Sequence, residues 1–579
     1  MHHRVRERGV TLLDTVVGTA LMLVVFSGIA ASFQLAVYAV GNNKSRAGAI
    51  ALTNERLEYV RSLSYNSVGT SGGIPSGALA QSETISLNDV SYTRRTFISY
   101  EDDPGDGVGG ADSNGITVDY KAAKVSVSWV SRQGTRTITM TTRLSPPTGI
   151  ESAVPGGTLA IQVTNDADAG VANAQVRIVN STVAPPIDLT TFTDSAGIAS
   201  ILGAPAGAGY QITATKSGYS TSQTYSASLV NTNPIPAHLG VALNQTTAAT
   251  FEIDLLSTFT VQTFEPIEEE AWSDSFASAD NLTLVDTTVD AGGIVLVAEE
   301  GVYAIAGTAI SSTITPTNLV GWKTISWSDA APAGTSVRYR VYQSGALVSD
   351  GDLPGNSAGF TAPISIAGLS TSTYPSLQLG AELTSDTTAT PSVSSWQITY
   401  DTGPTPLPSI PFTMQGAKTI GSGPGGPVSK YSVSHTSDGS GSILIPDIEY
   451  DTYTLTVPAS SGYDISSSCA PQPTVITPNS TVTTQLYLSP HTTNSLLVDV
   501  KSAGGAVVPN ASVQLTRGAY NTTVTSDACG QAFFPGLSAG SVGTDNPYAI
   551  EVTAGGFQPY SSATVNVTGT SRFSTILDL

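Results

Sequence analysis

From Val10 to Val40 the chain is dominated by apolar residues, carries the single charge Asp14 and contains no proline. As a helix this run would reach roughly 45 Å, more than the ~30 Å hydrocarbon core of a bilayer. Beyond it Ala47, Ile50, Leu52, Leu57, Val60 and Leu63 recur at mostly three- and four-residue spacings with charges between them. That period predicts an amphipathic continuation of the same helix. The expectation is one helix over 10–63, apolar all round at first and one-sided afterwards.

From Tyr65 the period drops to two. "ETISLNDVSYTRRTFISY" and "KAAKVSVSWVSRQGTRTITMTTRL" alternate, Val125, Val127 and Trp129 fall on one face, and Gln133-Gly134 marks a hairpin turn. A Pro- and Gly-rich linker, "SPPTGIESAVPGG", follows. After it one skeleton recurs three times. An Asp-x-x-Gly turn (Asp194–Gly197, Asp438–Gly441, Asp527–Gly530) precedes a strand starting at Tyr210, Tyr453 or Tyr548, and then Gly-Tyr or Gly-Phe. Each copy reads as a seven-stranded sandwich of short strands. Between the first two copies the pattern changes, and Trp322, Trp327 and Trp396 lie on longer alternations that predict a larger jelly-roll or lectin-like sandwich.

Composition narrows the class. With 579 residues the chain exceeds one core, and with 12% charged residues it reads as an extracellular β-rich protein. A net charge of −21 argues against nucleic acid as a partner, because phosphate binding needs clustered Lys and Arg. Of five histidines none falls in a metal or nucleophile motif, and no GxSxG, P-loop or HExxH occurs, so no enzyme is expected. Glu268-Glu269-Glu270 reads as a solvated run rather than a catalytic pair. Cys469 and Cys529 fit no zinc spacing, and one disulfide between neighbouring modules is the expectation for an exported chain.

Asp14 decides among three readings of the N-terminal segment. A cleaved signal peptide, with "AVYAVG" as its site, and a plain anchor both leave an acid in lipid unexplained. The stretch Gly9-Val10-Thr11-Leu12-Leu13-Asp14, after Arg4, Arg6 and Arg8, resembles a type IV prepilin or pseudopilin. The resemblance implies cleavage after Gly9 by a prepilin peptidase, methylation of Val10, and pairing of Asp14 with a free amine as subunits assemble. The family usually has Glu where Asp14 stands and Phe or Met where Val10 stands. The three later copies resemble carboxypeptidase-regulatory-like (Cna-B or transthyretin-like) modules, in which turn and tyrosine are structural. The opening strand "GTLAIQV" has no lysine, so the internal isopeptide bond of Cna-B modules is not carried over.

The expected fold is therefore mainly β with one long N-terminal helix, a pilin-like α+β head followed by a string of β-sandwiches. Its divisions are a leader at 1–9, a pilin-like domain at 10–146, and sandwiches at 147–256, 257–402, 403–490 and 491–579. Between the head strands lie Asp102, Asp103, Asp106, Asp112 and Asp119 on a Gly-rich backbone, candidates for calcium, which takes six to eight oxygens. Expected partners are the prepilin peptidase, other pilin subunits, the inner membrane before assembly, and a surface glycan or protein. The function expected is a minor pilin at the tip or sparse in the shaft, with a pseudopilin of a secretion or DNA-uptake machine and a singly anchored binding protein as alternatives.

Overall fold

The computed structural model describes residues 12–103, 105, 107, 118–132, 134–147, 154–470, 472–543 and 546–579. Among them the architecture is strands with one α-helix, as the periodicities predict. Two compact units divide the chain: 1–256 with 419–430, and 257–418 with 431–579.

Helix α1 spans Leu12–Ser62, 51 residues and about 76 Å of rise. Four antiparallel strands follow in the order β1 (Ser82–Leu87), β2 (Val90–Glu101), β3 (Tyr120–Ser131) and β4 (Gly134–Leu144). Ala49, Leu52 and Leu57 of α1 pack on Tyr92, Val125, Val127 and Trp129, while Val60 packs with Ile98 and Ala123. Ala47, expected on this stripe, is exposed. The buried positions run 49, 52, 53, 56, 57 and 60, and two residues' rotation of about 200° carries 47 to the far side. Gly48 allows the closest approach, since a Cβ there would stand 2.6 Å from the Tyr92 hydroxyl, which donates to the Ser45 carbonyl.

Polar ties complete the head. Buried Arg94 donates to Glu83 at 2.9 Å and to the Leu52 carbonyl at 3.1 Å. The buried Lys121 ammonium reaches the carbonyls of Tyr65 and Val68, each at 2.8 Å, and so fixes the chain leaving α1 to β3. Burial lowers this ammonium to about 8.

The first module comprises β5 (Gly157–Thr164), β6 (Gln175–Asn180), β7 (Ile187–Phe192), β8 (Ile198–Ala204), β9 (Gly207–Thr215), β10 (Ser222–Gln223), β11 (Asn233–Pro234), β12 (Leu239–Val241) and β13 (Thr246–Glu252). One sheet is β13-β5-β8, with β13 parallel to β5; the other has the order β10-β9-β6-β7. The last module repeats this plan. Ser495–Ser502 lies between parallel Thr570–Leu577 and antiparallel Gln531–Phe534, and the second sheet runs Tyr520–Thr525, Ser512–Arg517, Tyr548–Thr553, Tyr560–Val565.

The middle copy has the same plan but an interrupted chain. Its central strand is Ser257–Glu265, parallel to Thr481–Pro490 and antiparallel to Ser442–Ile448. The expected boundary at 257 is therefore displaced: 257–265 belongs to the sandwich of 403–490, not to the larger one. The larger sandwich is inserted between them, and the chain passes out and back side by side, Phe264 opposite Pro406 and Glu265 opposite Thr405. Thr419–Gly423 and Gly426–Ser429, within the expected 403–490 domain, form a hairpin that pairs with β11 in the first unit.

In the inserted sandwich one sheet centres on Ser392–Thr402, flanked by Leu319–Ala330, Glu268–Asp274 and Gly293–Leu296. The other runs Leu282–Val285, Ala306–Ser311, Gln378–Thr384, Ser336–Gln343, Ala346–Leu347. Its core holds Trp322 and Trp396, each 1% exposed.

Candidate functional site

The two halves of α1 meet different surroundings. Ala49 and Val60 are fully buried, whereas Leu12 is 84% and Phe33 70% exposed. Along the first half the large apolar side chains Val16, Leu21, Leu23, Val25, Ile29 and Leu35 are all exposed, and the first half-buried one is Tyr38. This part of the helix is long and apolar enough to cross a membrane. Burying such side chains out of water is worth about 1.5–3 kcal/mol each, so this half calls for lipid or other apolar helices. Asp14 stands in the first turn of α1. Gly9 and Val10 lie outside the described residues, as does the setting of the Asp14 side chain.

The acidic loop joins β2 to β3. Asp106 and Asp112 lie outside the described residues; Asp102, Asp103 and Asp119 stand at its base. The Asp119 carboxylate accepts the Asp103 N–H, while Asp103 accepts from the Gly105 N–H at 3.1 Å and lies 3.8 Å from Arg143. Among the described residues no three acid, histidine or cysteine side chains gather into a metal-holding group.

Cys469 and Cys529 are bonded, with Cα atoms 5.2 Å apart. The bridge joins the end of the Tyr463–Cys469 strand to the Asp-x-x-Gly turn of the last module. At the other end of the same strand Asp464, buried, accepts from His491 Nδ1 at 2.7 Å, the Thr492 N–H at 3.1 Å, Ser495 at 3.1 Å and Thr570 at 3.2 Å. These two modules thus share a covalent link and a filled polar joint. Sequence reading missed Asp464; its only signal was an acid inside an otherwise apolar and hydroxyl-bearing strand.

The three Asp-x-x-Gly turns are superimposable in their bonding. Asp194, Asp438 and Asp527 each accept two N–H groups through Oδ1, at 2.8 to 3.0 Å. Gly197, Gly441 and Gly530 all have φ between +72° and +80°, and their carbonyls accept from Val163, Thr263 and Val500 on the central strands. The tyrosines are core, each hydroxyl donating to a backbone carbonyl: Tyr210 to Pro205, Tyr453 to Glu449, Tyr548 to Ser538. These residues build the modules.

Trp322 and Trp396 lie in the core of the inserted sandwich, and Trp327 is half-buried. Trp322 donates to the Tyr374 carbonyl inside the core, and Trp327 stacks on buried Tyr339 at 3.8 Å. Glu269 pairs with Lys323 at 2.6 Å on the sheet surface, in keeping with a solvated run.

No protein-family model matches this sequence, and no curated protein matches it. Among solved structures the chain is similar to the Bacillus anthracis TIE protein, at 12% identity over 86% of this chain and 72% of that one, with a TM-score of 0.16. It is also similar to BcpA, the major pilin subunit of Bacillus cereus, at 10% identity over 73% and 99%, TM-score 0.13. The full-length major pilin SpaD of Corynebacterium diphtheriae gives 10% identity over 73% and 97%, TM-score 0.13. Likenesses at these TM-scores bear neither on the fold nor on the function of this chain.

Proposed function

We propose that the chain is a sparse or tip subunit of a type IV pilus-like filament that carries β-sandwich modules outward, as an adhesive or a stalk. One observation carries the reading: a single helix is buried on the head through its second half and bare and apolar through its first. A leader with three arginines, Gly9-Val10 and Asp14 supply the processing and pairing chemistry. Leader arginines stay on the cytoplasmic side, the peptidase acts between Gly9 and Val10, and the inner membrane holds the apolar half until assembly. A carboxylate in an apolar setting requires a positive partner, and a neighbouring subunit's freed amine supplies one. The 147–579 modules are too bulky to repeat at every position of a packed shaft, which favours a tip or sparse place. The acidic loop, with Asp102, Asp103 and Asp119 at its base and Asp106 and Asp112 within it, is proposed to take calcium.

Mass spectrometry of the membrane-extracted protein tests the reading. A methylated amine on Val10 is the expected N-terminus, and a start near Gly41 would point to a signal peptide instead. Asp14→Ala should insert into the membrane normally yet be absent from sheared filaments. If the variant enters filaments at the wild-type level, the pairing role is wrong. Deleting 147–579 separates the pseudopilin alternative, since lost secretion rather than lost adhesion would favour it.

A further inference from the structure

We propose that the cleft between the outer face of the head sheet and the first module binds an acidic oligosaccharide. Head and module belong to one compact unit and share a core. Ile74 of the head is buried among the apolar side chains of β5, β6 and β7, and Phe97 and Tyr100 of β2 pack on the same cluster. Gln81 bridges the seam, its amide nitrogen donating to the Asp188 carbonyl at 2.6 Å and its oxygen accepting the Thr190 N–H at 3.2 Å. The Asp188 N–H donates to the Gly72 carbonyl at 3.0 Å. The walls are therefore held at a fixed separation before any ligand arrives, which lowers the entropic cost of binding.

The cleft encloses about 940 Å³, at the upper end of the range for small-ligand sites, which favour domain junctions. Its floor is the outward face of β2, β3 and β4, where Thr93, Ser126, Ser128 and Thr137 stand in neighbouring register positions. Hydroxyls both donate and accept, as sugar hydroxyls do. From the same floor rise Arg95 and Lys124, both exposed, and neither forms an ion pair among the described residues. The opposite wall offers Phe192, 42% exposed, with the Arg95 guanidinium 5.6 Å from its ring centre. The acid in the lining, Glu101, accepts a hydrogen bond from Ser99 at 2.6 Å.

Charge sets the ligand class. In a chain of net charge −21 two cations on a hydroxyl floor mark a local positive spot, and guanidinium and ammonium groups fix carboxylates through charge-assisted hydrogen bonds. Phe192, 42% exposed, offers apolar ring surface to the C–H side of a pyranose. An acidic peptide fits less well. The floor's central strands are already paired on both sides, so a peptide's amides would find few unused backbone groups there.

The test uses the detergent-solubilised full chain and calorimetric titration with an oligogalacturonate hexamer. A neutral gluco-oligosaccharide of the same length and a poly-glutamate peptide of matched charge are the controls. The hexamer should bind saturably, at least tenfold more tightly than either control. Arg95→Gln with Lys124→Gln should weaken it at least tenfold, and Phe192→Ala several-fold, with melting temperatures unchanged because all three side chains are at least partly exposed. No saturable binding, binding that survives the double substitution, or poly-glutamate binding as tightly as the hexamer would overturn the proposal. The readout is independent of filament incorporation, so it stands or falls apart from the assembly reading.

Discussion

The middle and last copies of the repeated module carry one blueprint on two kinds of chain. In the last, Val500 accepts the Val508 N–H across a short surface loop; in the middle, Thr263 accepts the Leu407 N–H at 2.8 Å across the whole inserted sandwich. The strands flanking the central one keep the same directions, the turns match bond for bond, and in each copy a core tyrosine donates to a backbone carbonyl. The difference shows which residues specify the module. Contacts within the sandwich do so, while the connection between its first two strands is free to grow, because closing a loop costs only slowly more as it lengthens. Growth is cheaper still here, since the outgoing and returning chains pair with each other.

The largest expected effect tests what the last copy has and the middle copy lacks. Cys529 tethers its turn, and the bridge closes a loop of 60 residues. Cys469→Ser should lower the stability of the last module by about 4 kcal/mol on the chain-entropy account. Urea melts of the variant and of the reduced wild type should coincide, and a reductant without effect on the melt would show that the joint around Asp464 suffices alone. The next effect should be equal in both copies. A Cβ at Gly441 would stand 2.8 Å from the Thr263 carbonyl, and one at Gly530 2.9 Å from that of Val500, both at positive φ. Gly441→Val and Gly530→Val should each cost about 2–4 kcal/mol. Unequal losses beyond 1 kcal/mol, a margin set by roughly one hydrogen bond, would break the equivalence.

Much of this was legible in the chain. The turn and the tyrosine stand in order at 438 and 453 as at 527 and 548, because both are fixed by local backbone demands: an acid that caps two N–H groups and a glycine at positive φ. The central strand of the middle copy was not, although "STFTVQTFE" alternates as "SLLVDVKS" does not need to. Nothing in a strand names a partner more than two hundred residues away, and pairing to Thr481–Pro490 is decided by packing. The tryptophans of the insert were half legible for a related reason: period-two alternation puts Trp322 and Trp396 on a face without saying which face is wet, and the structure places both in the core. The first half of α1 was the reverse case, where a long, mostly apolar run with Asp14 as its single charge left little else to decide. In the candidate cleft, the hydroxyl floor follows from alternation, but its opposite wall comes from a module beyond the linker.

A smaller effect should distinguish the copies. The Tyr453 hydroxyl makes one bond, to the Glu449 carbonyl at 2.9 Å, while that of Tyr548 donates to the Ser538 carbonyl and accepts the Ser538 N–H. Tyr453→Phe should cost about 1 kcal/mol and Tyr548→Phe about 2. Alkali adds a signature. Burial first, then Asp451 and Glu449 nearby, raise the Tyr453 hydroxyl above its ordinary value of 10.0. The folded chain keeps that proton where the unfolded chain releases it, so stability is whole below pH 10 and falls as pH rises beyond. Tyr453→Phe should flatten that part of the slope; an unchanged slope would place the loss elsewhere.

The smallest effect is expected from the largest change. Replacing 267–403 with the short loop of the last copy should leave the middle module folded and its melt within about 1 kcal/mol of wild type. A flexible connection of that length would add roughly 2–3 kcal/mol of closure cost over a short loop. The insert is not flexible, though: Glu268–Asp274 pairs along its whole length with 396–402, holding its two ends together before the module closes. Its closure cost is therefore met by its own folding. A gain of 2–3 kcal/mol on excision would mean that the ends separate when the insert stands alone. A loss of that size would mean that the insert supports its host, and the two copies would then share a blueprint without sharing independence.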